Sequence, residues 1–323
     1  MELRKICMAA ALAALGLSGA PALADYPDRP ISMIVPFPPG GVADTIARPL
    51  AQALGEELGQ TIVIENRAGA GGAVGIGQAA RAQPDGYTLL MSLSSISILP
   101  EADRVLERKP AYQLDQFVPI ARITADPTVL VVRAEAPWNT LEEFLAAAKK
   151  DPGKLSYGSS GIYGTMHVPV EMLQGSAGVS MMHVPFTGGG PSVQALLGGQ
   201  VDAIAAGPSV VLPLIQAGRL KALAHWGDDT LDSMPDVPSL KSKGQDVSFV
   251  QWSGLFALEG TPQPVIDKLR EAARAIANDE KVRAAIGRTG SPVMYLDAPA
   301  FDEYWKRDSA SLATAVQRIG KVE

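Results

Sequence analysis

One segment near the start of the chain limits what the chain can fold into. The β-branched apolar run from Ile31 to Val35 ends in a loop with two prolines and two glycines, and a helical pattern follows it. A strand that enters a helix through such a loop leaves the first backbone amides of the helix without intrahelical partners. Those amides favour an anion. The segment therefore predicts a strand–loop–helix unit that is able to bind an anion.

Alternation of apolar runs and helical patterns continues along the chain, which predicts an α/β protein with largely parallel sheets. Within the first helix, apolar residues recur at every fourth position, and Pro49 lies inside this pattern, so we expect the helix to start late or to bend there. The predicted strands are Ile31–Val35, Thr61–Glu65, Tyr87–Ser92, Thr128–Val132, Lys154–Tyr157, Ser180–Val184, Val201–Ala205, Leu220–His225 and Phe249–Phe256.

Two stretches are candidates for crossings between domains. The first is Ile123 to Arg133, an extended stretch interrupted by Pro127, and the second is Ala224 to Phe249, which is rich in Asp, Pro, Ser and Gly. If both are crossings, residues 126–226 form one lobe, and residues 25–125 with 227–323 form the other. A two-lobed protein with a cleft follows from this division.

The first 24 residues are typical of an export signal. Arg4 and Lys5 precede an apolar run that is too short to span a bilayer, and Ala22-Leu23-Ala24 supplies a cleavage site. We therefore predict export to the periplasm with cleavage after Ala24. The mature chain then has no cysteine, because the single cysteine is Cys7, and this excludes disulfides and thiolate nucleophiles.

Charge and motifs exclude several classes of partner. Subtracting Arg4, Lys5 and Glu2 from 28 basic and 34 acidic residues leaves 26 and 33, a net charge of −7, and no basic stripe to bind nucleic acid. The GIGQAA match to a dinucleotide motif begins ten residues after the strand that ends at Glu65, too far for the fingerprint. We expect no cofactor and no metal.

Further loops rich in glycine and serine follow predicted strands. Since the carboxyl ends of parallel strands share one edge of a sheet, these loops are expected to meet the first loop and line one ligand site. Asp44 would repel an anion, so we expect it to cap the helix or to accept from a ligand donor or a water. The predicted ligand-binding residues are Phe37, Pro39, Gly40, Gly41, Asp44, Ser92, Ser94, Ser159, Gly161, Gly164, Thr165, His167, Thr187, Gly188, Gly189, Pro208 and Ser209.

The histidines leave an alternative open. His167 and Glu171 are spaced to share one helix face, and with His183 they would suit an exported hydrolase or metal-dependent enzyme. No G-x-S-x-G elbow is present, and no further metal ligand is evident. Hydrogen-bonded histidines in the core or the cleft are the commoner interpretation.

Several long motifs occur in an order that resembles the Bug/TctC family of periplasmic solute-binding proteins. They are VPFPPGGVADTIAR, LGQTIVIENRAGAGGAVG, PDGYTLL, HVPFTGGGPSVQALLGGQVDA, IQAGRLKALA, MPDVPSL and WSGLFALEGTP. The resemblance implies a type II periplasmic-binding-protein fold, with two α/β lobes, two crossing strands and a ligand between the lobes. It implies a receptor that delivers a small organic acid to the membrane permease subunits of a tripartite tricarboxylate transporter, and we expect a monomer without enzymatic activity. Besides the receptor and the exported enzyme, a third hypothesis is a sensory module that reports its ligand to a membrane kinase.

Overall fold

The computed structural model describes residues 26–322, so the predicted export signal lies outside the described residues. Over this range no helix combines the length and the apolar character needed to cross a bilayer. The described chain forms eleven β-strands and ten α-helices arranged around two sheets.

The first part of the chain runs from the opening strand to the first crossing. It contains β1 (Ile31–Val35), α1 (Val42–Leu58), β2 (Ile62–Asn66), α2 (Ala73–Ala79), β3 (Thr88–Leu93), α3 (Ser95–Val105) and β4 (Phe117–Pro127). The middle part contains β5 (Val129–Arg133), α4 (Leu141–Lys150), β6 (Ser156–Ser159), α5 (Val168–Ala177), β7 (Met182–Pro185), α6 (Gly189–Leu197), β8 (Ala203–Ala206), α7 (Pro208–Gln216) and β9 (Leu220–His225). The last part contains β10 (Val250–Leu258), α8 (Gln263–Asn278), α9 (Glu280–Gly287), β11 (Val293–Leu296) and α10 (Ala298–Ile319).

The two sheets divide the strands by lobe. The first has the order β11-β4-β10-β3-β1-β2 and belongs to the lobe that we call lobe 1; the second has the order β7-β6-β8-β5-β9 and belongs to lobe 2. Strands β1, β2 and β3 are parallel, as are β6, β7 and β8. Strand β10 is antiparallel to β3 and β4, and β5 is antiparallel to β8 and β9. The sheets are therefore mixed rather than largely parallel, because β4 leaves lobe 1 and β10 returns to it.

Two strands escaped the sequence analysis. Strand β4 begins at Phe117, well before the extended stretch predicted from Ile123, and β11 was not predicted at all. Arg122, Thr124 and Asp126 interrupt the apolar pattern of β4, although all three are buried in the structure. The sequence pattern failed because a strand in the middle of a sheet here carries polar side chains that contact other parts of the protein.

Helix α1 carries the apolar stripe expected of it. Ile46, Leu50 and Leu54 are buried against the first sheet, and the helix begins at Val42 and continues through Pro49. The expectation of a late start was wrong. Pro49 occupies a half-buried position in the third turn, so only one backbone hydrogen bond to Thr45 is lost there.

The two crossings lie side by side. Strand β4 ends at Pro127 and β5 begins at Val129, and the second crossing runs from Trp226 to Phe249. The Trp226 amide donates to the Thr128 carbonyl at 3.0 Å, and the Phe249 amide donates to the Trp226 carbonyl at 3.0 Å. The residues that link the lobes are thus hydrogen-bonded to one another.

Helix α10 contacts both lobes. It packs against α3 and β4 of lobe 1 and against α5 of lobe 2. Just beyond its last turn, the Gly320 carbonyl accepts a hydrogen bond from the Tyr163 hydroxyl of lobe 2. The end of the chain therefore forms a contact between the lobes in addition to the two crossings.

Candidate ligand-binding cleft

The loop between β1 and α1 is held by Asp44. The Asp44 carboxylate accepts from the Gly40 amide at 2.9 Å, from Arg48 Nη2 at 2.8 Å and from Asn66 Nδ2 at 3.0 Å. Asn66 Nδ2 also donates to the Phe37 carbonyl at 3.0 Å. Burial alone would raise the pKa of Asp44, but the hydrogen bonds from Arg48, Gly40 and Asn66 hold it below its usual value. Both oxygens of Asp44 are therefore engaged within the protein.

Three helices of the cleft begin at glycine. The N-cap residues of α1, α6 and α7 are Gly41, Gly188 and Gly207, and no side chain caps any of these helices. The first amides of each helix are consequently free of side-chain acceptors and carry the positive end of the helix dipole. One of these helix ends belongs to lobe 1 and two belong to lobe 2.

The two lobes approach each other closely at two glycines of lobe 2. A Cβ atom placed on Gly188 would lie 2.3 Å from Cδ and Cγ of Pro38, so this approach requires glycine. A Cβ atom on Gly161 would likewise lie 2.7 Å from the Gly71 amide nitrogen. Loops from lobe 2 thus touch the β1–α1 loop and the turn before α2, and the structure is a closed form.

A side-chain hydrogen bond crosses the cleft near the crossings. Gln251 Nε2 on β10 donates to Thr165 Oγ1 of lobe 2 at 2.5 Å. A Cβ atom on Gly207 would lie 2.5 Å from Gln251 Oε1 and 3.0 Å from a Val42 methyl carbon. The starts of α1 and α7 therefore meet beside Gln251.

Hydroxyl groups without partners lie on these loops and in the first turns of the helices that follow them. These oxygens are buried, and none has a hydrogen-bond partner in the described part of the chain; they are Oγ of Ser94, Ser95, Ser160, Ser192 and Ser209. Gln251 Oε1 has no partner either. Each unsatisfied buried polar group costs about 1–3 kcal/mol. A cluster of such groups beside free helix amides is the arrangement that a polar ligand would complete.

A cavity of about 530 Å³ opens between the lobes beside these loops. Ala70, Leu99 and Arg108 line it from lobe 1, and Gly161 and Thr187 line it from lobe 2. Arg108 Nε lies 3.3 Å from an oxygen of Asp103, so its charge is already paired.

The histidines form a cluster behind the loop of lobe 2. Ser159 Oγ lies 2.6 Å from His183 Nε2, and the His167 and His183 ring centroids are 4.2 Å apart. The Tyr163 amide donates to His167 Nδ1, and Glu171 accepts from the Tyr157 hydroxyl. Burial lowers the pKa of His183 to about 4; burial and the neighbouring His183 lower the pKa of His167 to about 3. Both rings are neutral at pH 7.

This cluster bears on the enzyme alternative. His167 Nε2 lies 3.8 Å from Glu171 Oε1, and residues 26–322 contain no group of three potential ligands arranged to hold a metal. The contact between Ser159 and His183 has the geometry of a nucleophile with its base, but no described acidic side chain hydrogen-bonds to His183.

Most of the predicted site residues lie in loops that meet between the lobes. Three have their polar groups directed elsewhere: the Ser92 hydroxyl donates to the Leu93 carbonyl, Ser159 contacts His183, and Asp44 pairs with Arg48. His167 is fully buried behind the loop. Gln251 and the unpartnered Ser95, Ser160 and Ser192 were not among the predicted residues. Gln251 lies inside a predicted strand and Ser192 follows its glycine-rich loop inside a helix, so neither stood in a predicted loop.

Two lobes that enclose a polar cleft between crossing strands define a solute-binding protein of the type II periplasmic-binding fold. The model of the tripartite tricarboxylate transporter family receptor, TctC, matches residues 46–320, and the chain belongs to this family. A curated relative, the BugT protein of Bordetella pertussis, is 36% identical over 285 residues, which cover 85% of each chain.

Solved structures agree with this assignment. The periplasmic binding protein BugD has a TM-score of 0.85 and 32% identity, over 91% of this chain and 98% of its own. MatC from Rhodopseudomonas palustris, solved with bound malate, has a TM-score of 0.82 and 30% identity, over 90% of this chain and 100% of its own. The fold expected from the sequence is confirmed.

Proposed function

We propose that this protein is a periplasmic receptor that captures a small organic carboxylate by closing its lobes and delivers it to a tripartite tricarboxylate-type permease. The observation that carries the proposal is the meeting of three uncapped helix starts with unpartnered hydroxyls between the lobes. Such groups bind a carboxylate without a dedicated arginine. MatC, which binds malate, supports the ligand class.

The strength of binding follows from closure. Micromolar affinity corresponds to about −8 kcal/mol. A helix start contributes about 0.3–1 kcal/mol at an exposed site and up to ~2 kcal/mol when partly buried, so the helix starts alone are insufficient. The rest of the binding free energy comes from the buried hydroxyls. Closure removes water from each of them in any case, so a ligand that gives them a hydrogen-bond partner gains the full free energy of that bond.

The site in this proposal comprises the loop residues from Phe37 to Gly41, the hydroxyls of Ser94 and Ser95, the loop from Ser160 to Thr165, and the starts of α6 and α7. Lobe 1 comprises residues 25–125 with 227–323, and lobe 2 comprises residues 126–226. The membership of the two sheets supports these bounds. We further propose cleavage after Ala24, a monomer and no enzymatic activity, which accord with a receptor of this family.

The test starts from protein stripped of ligand by unfolding and refolding. Mono-, di-, tri- and aromatic carboxylates are then compared by the rise in melting temperature and by calorimetry. At least one acid is expected to raise the melting temperature, and native mass spectrometry of freshly purified periplasmic protein should show its mass. A flat response across the panel contradicts the proposal.

The exported enzyme is the second candidate, because of the contact between Ser159 and His183. It predicts turnover of an ester or amide substrate that is lost in Ser159→Ala. An unchanged ligand after prolonged incubation, together with the absence of stoichiometric metal by elemental analysis, removes this candidate.

A further inference from the structure

Asp126 is a buried carboxylate at the first crossing. It lies near the end of β4, one residue before Pro127, and its residue surface is only 4% exposed. Among the ion pairs of residues 26–322 none involves Asp126, and the Ser291 hydroxyl is the one side-chain group of these residues that acts on it as a hydrogen-bonding neighbour. A buried carboxylate without a cation is costly, and such groups are rarely found without a partner.

Asp126 shares its face of the sheet with Gln251. The two residues are directly paired across the antiparallel strands β4 and β10, so their side chains project on the same side. Gln251 uses its Nε2 for Thr165, and its Oε1 remains without a partner. Two acceptor groups therefore lie next to each other on the wall that lobe 1 presents near the crossings.

The start of α7 lies against this wall. Gln251 Oε1 approaches Gly207, and a Cβ atom on Gly290 would lie 3.4 Å from the Pro208 carbonyl carbon. The residues next in sequence, Ser209 and Ser291, are both buried; Ser209 Oγ has no partner among the described residues, and the Ser291 hydroxyl neighbours Asp126. Gln251 thus lies at the surface where the lobes meet, and Asp126 is its neighbour across the strand pair.

The pKa of Asp126 is raised, as expected for a buried carboxyl group without a cation beside it. Burial raises the pKa of Asp126 to about 7, and the nearby Ser291 hydroxyl offsets only part of this effect. No charged side chain of the described residues contributes to the shift. A cation placed beside Asp126 would offset the desolvation penalty of its charged form.

We propose that Asp126 and Gln251 Oε1 accept hydrogen bonds from a protonated amino group, so that the receptor takes an organic acid that also carries an amine. The inference rests on the proposed function, since the carboxylate of the same ligand binds the helix starts and hydroxyls. A ligand hydroxyl donates one hydrogen bond, whereas an ammonium group donates three and brings the missing positive charge. Two adjacent acceptors, one of them a carboxylate, therefore select the ammonium group.

The experiment compares amino acids with the same acids lacking the amino group. Calorimetric dissociation constants are measured on refolded, ligand-free protein for alanine and propionate, aspartate and succinate, glutamate and glutarate, phenylalanine and 3-phenylpropionate, and 6-aminohexanoate and hexanoate. In at least one pair the amino member is expected to bind tenfold or more tightly than its partner. Asp126→Asn, which keeps the size of the side chain, should reduce this ratio to about one.

Asp308→Asn is the matched control, because Asp308 is also a shielded carboxyl group with a raised pKa but pairs with Trp252 away from the cleft. It should leave the ratio unchanged. If the acid without an amine binds as tightly as the amino acid or more tightly, this inference is overturned while the proposed function stands. If no acid of either kind binds, both are overturned.

Discussion

Gln251 and Thr165 form a side-chain hydrogen bond between the lobes, with Gln251 Nε2 donating to Thr165 Oγ1 at 2.5 Å. This contact exists only when the lobes are closed, so its free energy is added to that of ligand binding. A buried hydrogen bond contributes about 0.5–1.5 kcal/mol. Thr165→Val should therefore weaken ligand binding by roughly threefold to tenfold. Calorimetry checks the affinity, and X-ray scattering of the ligand-free protein should show a larger radius of gyration.

The unpartnered serines distinguish a binding role from a structural one. Ser160→Ala and Ser95→Ala remove buried hydroxyls that have no partner, so the melting temperature without ligand should stay the same or rise. The affinity for the ligand should fall about fivefold to tenfold, since each loses about 1 kcal/mol of hydrogen bonding.

Ser97→Ala is the control for this pair of variants. The Ser97 hydroxyl accepts from Trp305 Nε1 at 2.9 Å and contacts the Ser309 hydroxyl, away from the cleft. Ser97→Ala should lower the melting temperature and leave the affinity for the ligand intact. The opposite pattern, in which Ser160→Ala is destabilised and binds normally, would assign the cleft serines to packing.

Gly188→Ala should block closure. The added Cβ atom would meet Pro38 at 2.3 Å, whereas the backbone of Gly188 is extended and tolerates any residue. The lobes must then stay apart by an ångström or more at this point. We expect affinity to fall by a factor on the order of 100, or about 2.7 kcal/mol, with little change in the melting temperature of the ligand-free protein.

Gly175→Ala is the matched control for closure. Gly175 lies in α5, where a Cβ atom would have no neighbour within 4 Å. The substitution favours the helix, so it should preserve affinity and raise stability by up to about 1 kcal/mol. Normal affinity in Gly188→Ala would show that the contact with Pro38 is not needed in the ligand-bound form.

Asp44 should act on stability more than on affinity. Asp44→Ala removes the acceptor for the Gly40 amide and Asn66, which should cost about 1.5–3 kcal/mol. Arg48→Ala should cost less than about 1 kcal/mol, because the Arg48 side chain is 56% exposed and its charge is screened. Chemical denaturation of both variants checks this order. A large loss of affinity with unchanged stability would instead give Asp44 a direct role with the ligand.

The buried histidines predict instability in acid. The folded-state pKa values of His167 and His183 lie below the ordinary value, so the stability that their neutral rings provide is full above pH 6.5 and is lost as pH falls toward 4 and 3. Between pH 6.5 and 5 the loss should be roughly 1.5 kcal/mol for His167 and less for His183, which is partly exposed to solvent.

His183→Gln should reduce this dependence on pH, since glutamine keeps a polar contact to Ser159 and does not titrate. Denaturant titrations at pH 7, 6 and 5 measure the slope. An identical slope in the variant would mean that His183 is accessible to protons in the folded protein.

The sequence predicted the loops between the lobes better than the strands beside them. The β1–α1 loop and the starts of α6 and α7 were predicted as loops because glycine and proline mark turns after apolar strands. The proximity of Gln251 and Asp126 was not predicted, because it comes from the pairing of β4 with β10, two strands more than 120 residues apart in sequence. The local pattern of apolar and polar residues carries no information on which distant strands pair.

The hydrogen bonds within the site also lay beyond prediction. The sequence allowed Asp44 to be either a cap or a ligand contact, and the choice depends on Asn66, which arrives from the neighbouring strand. The histidines show the same effect, since His167 and His183 come together only when β6 and β7 pair.

The contact between Tyr163 and the end of α10 has a mechanical consequence. Two crossings alone would let the lobes both bend and twist about the line that joins them. The hydrogen bond from Tyr163 to Gly320 is a third attachment, and it resists movements that separate lobe 2 from the end of α10. A swing of the lobes that breaks this bond must loosen the last turn of the helix, so a reporter group attached beyond Gly320 should register the opening of the lobes without entering the cleft.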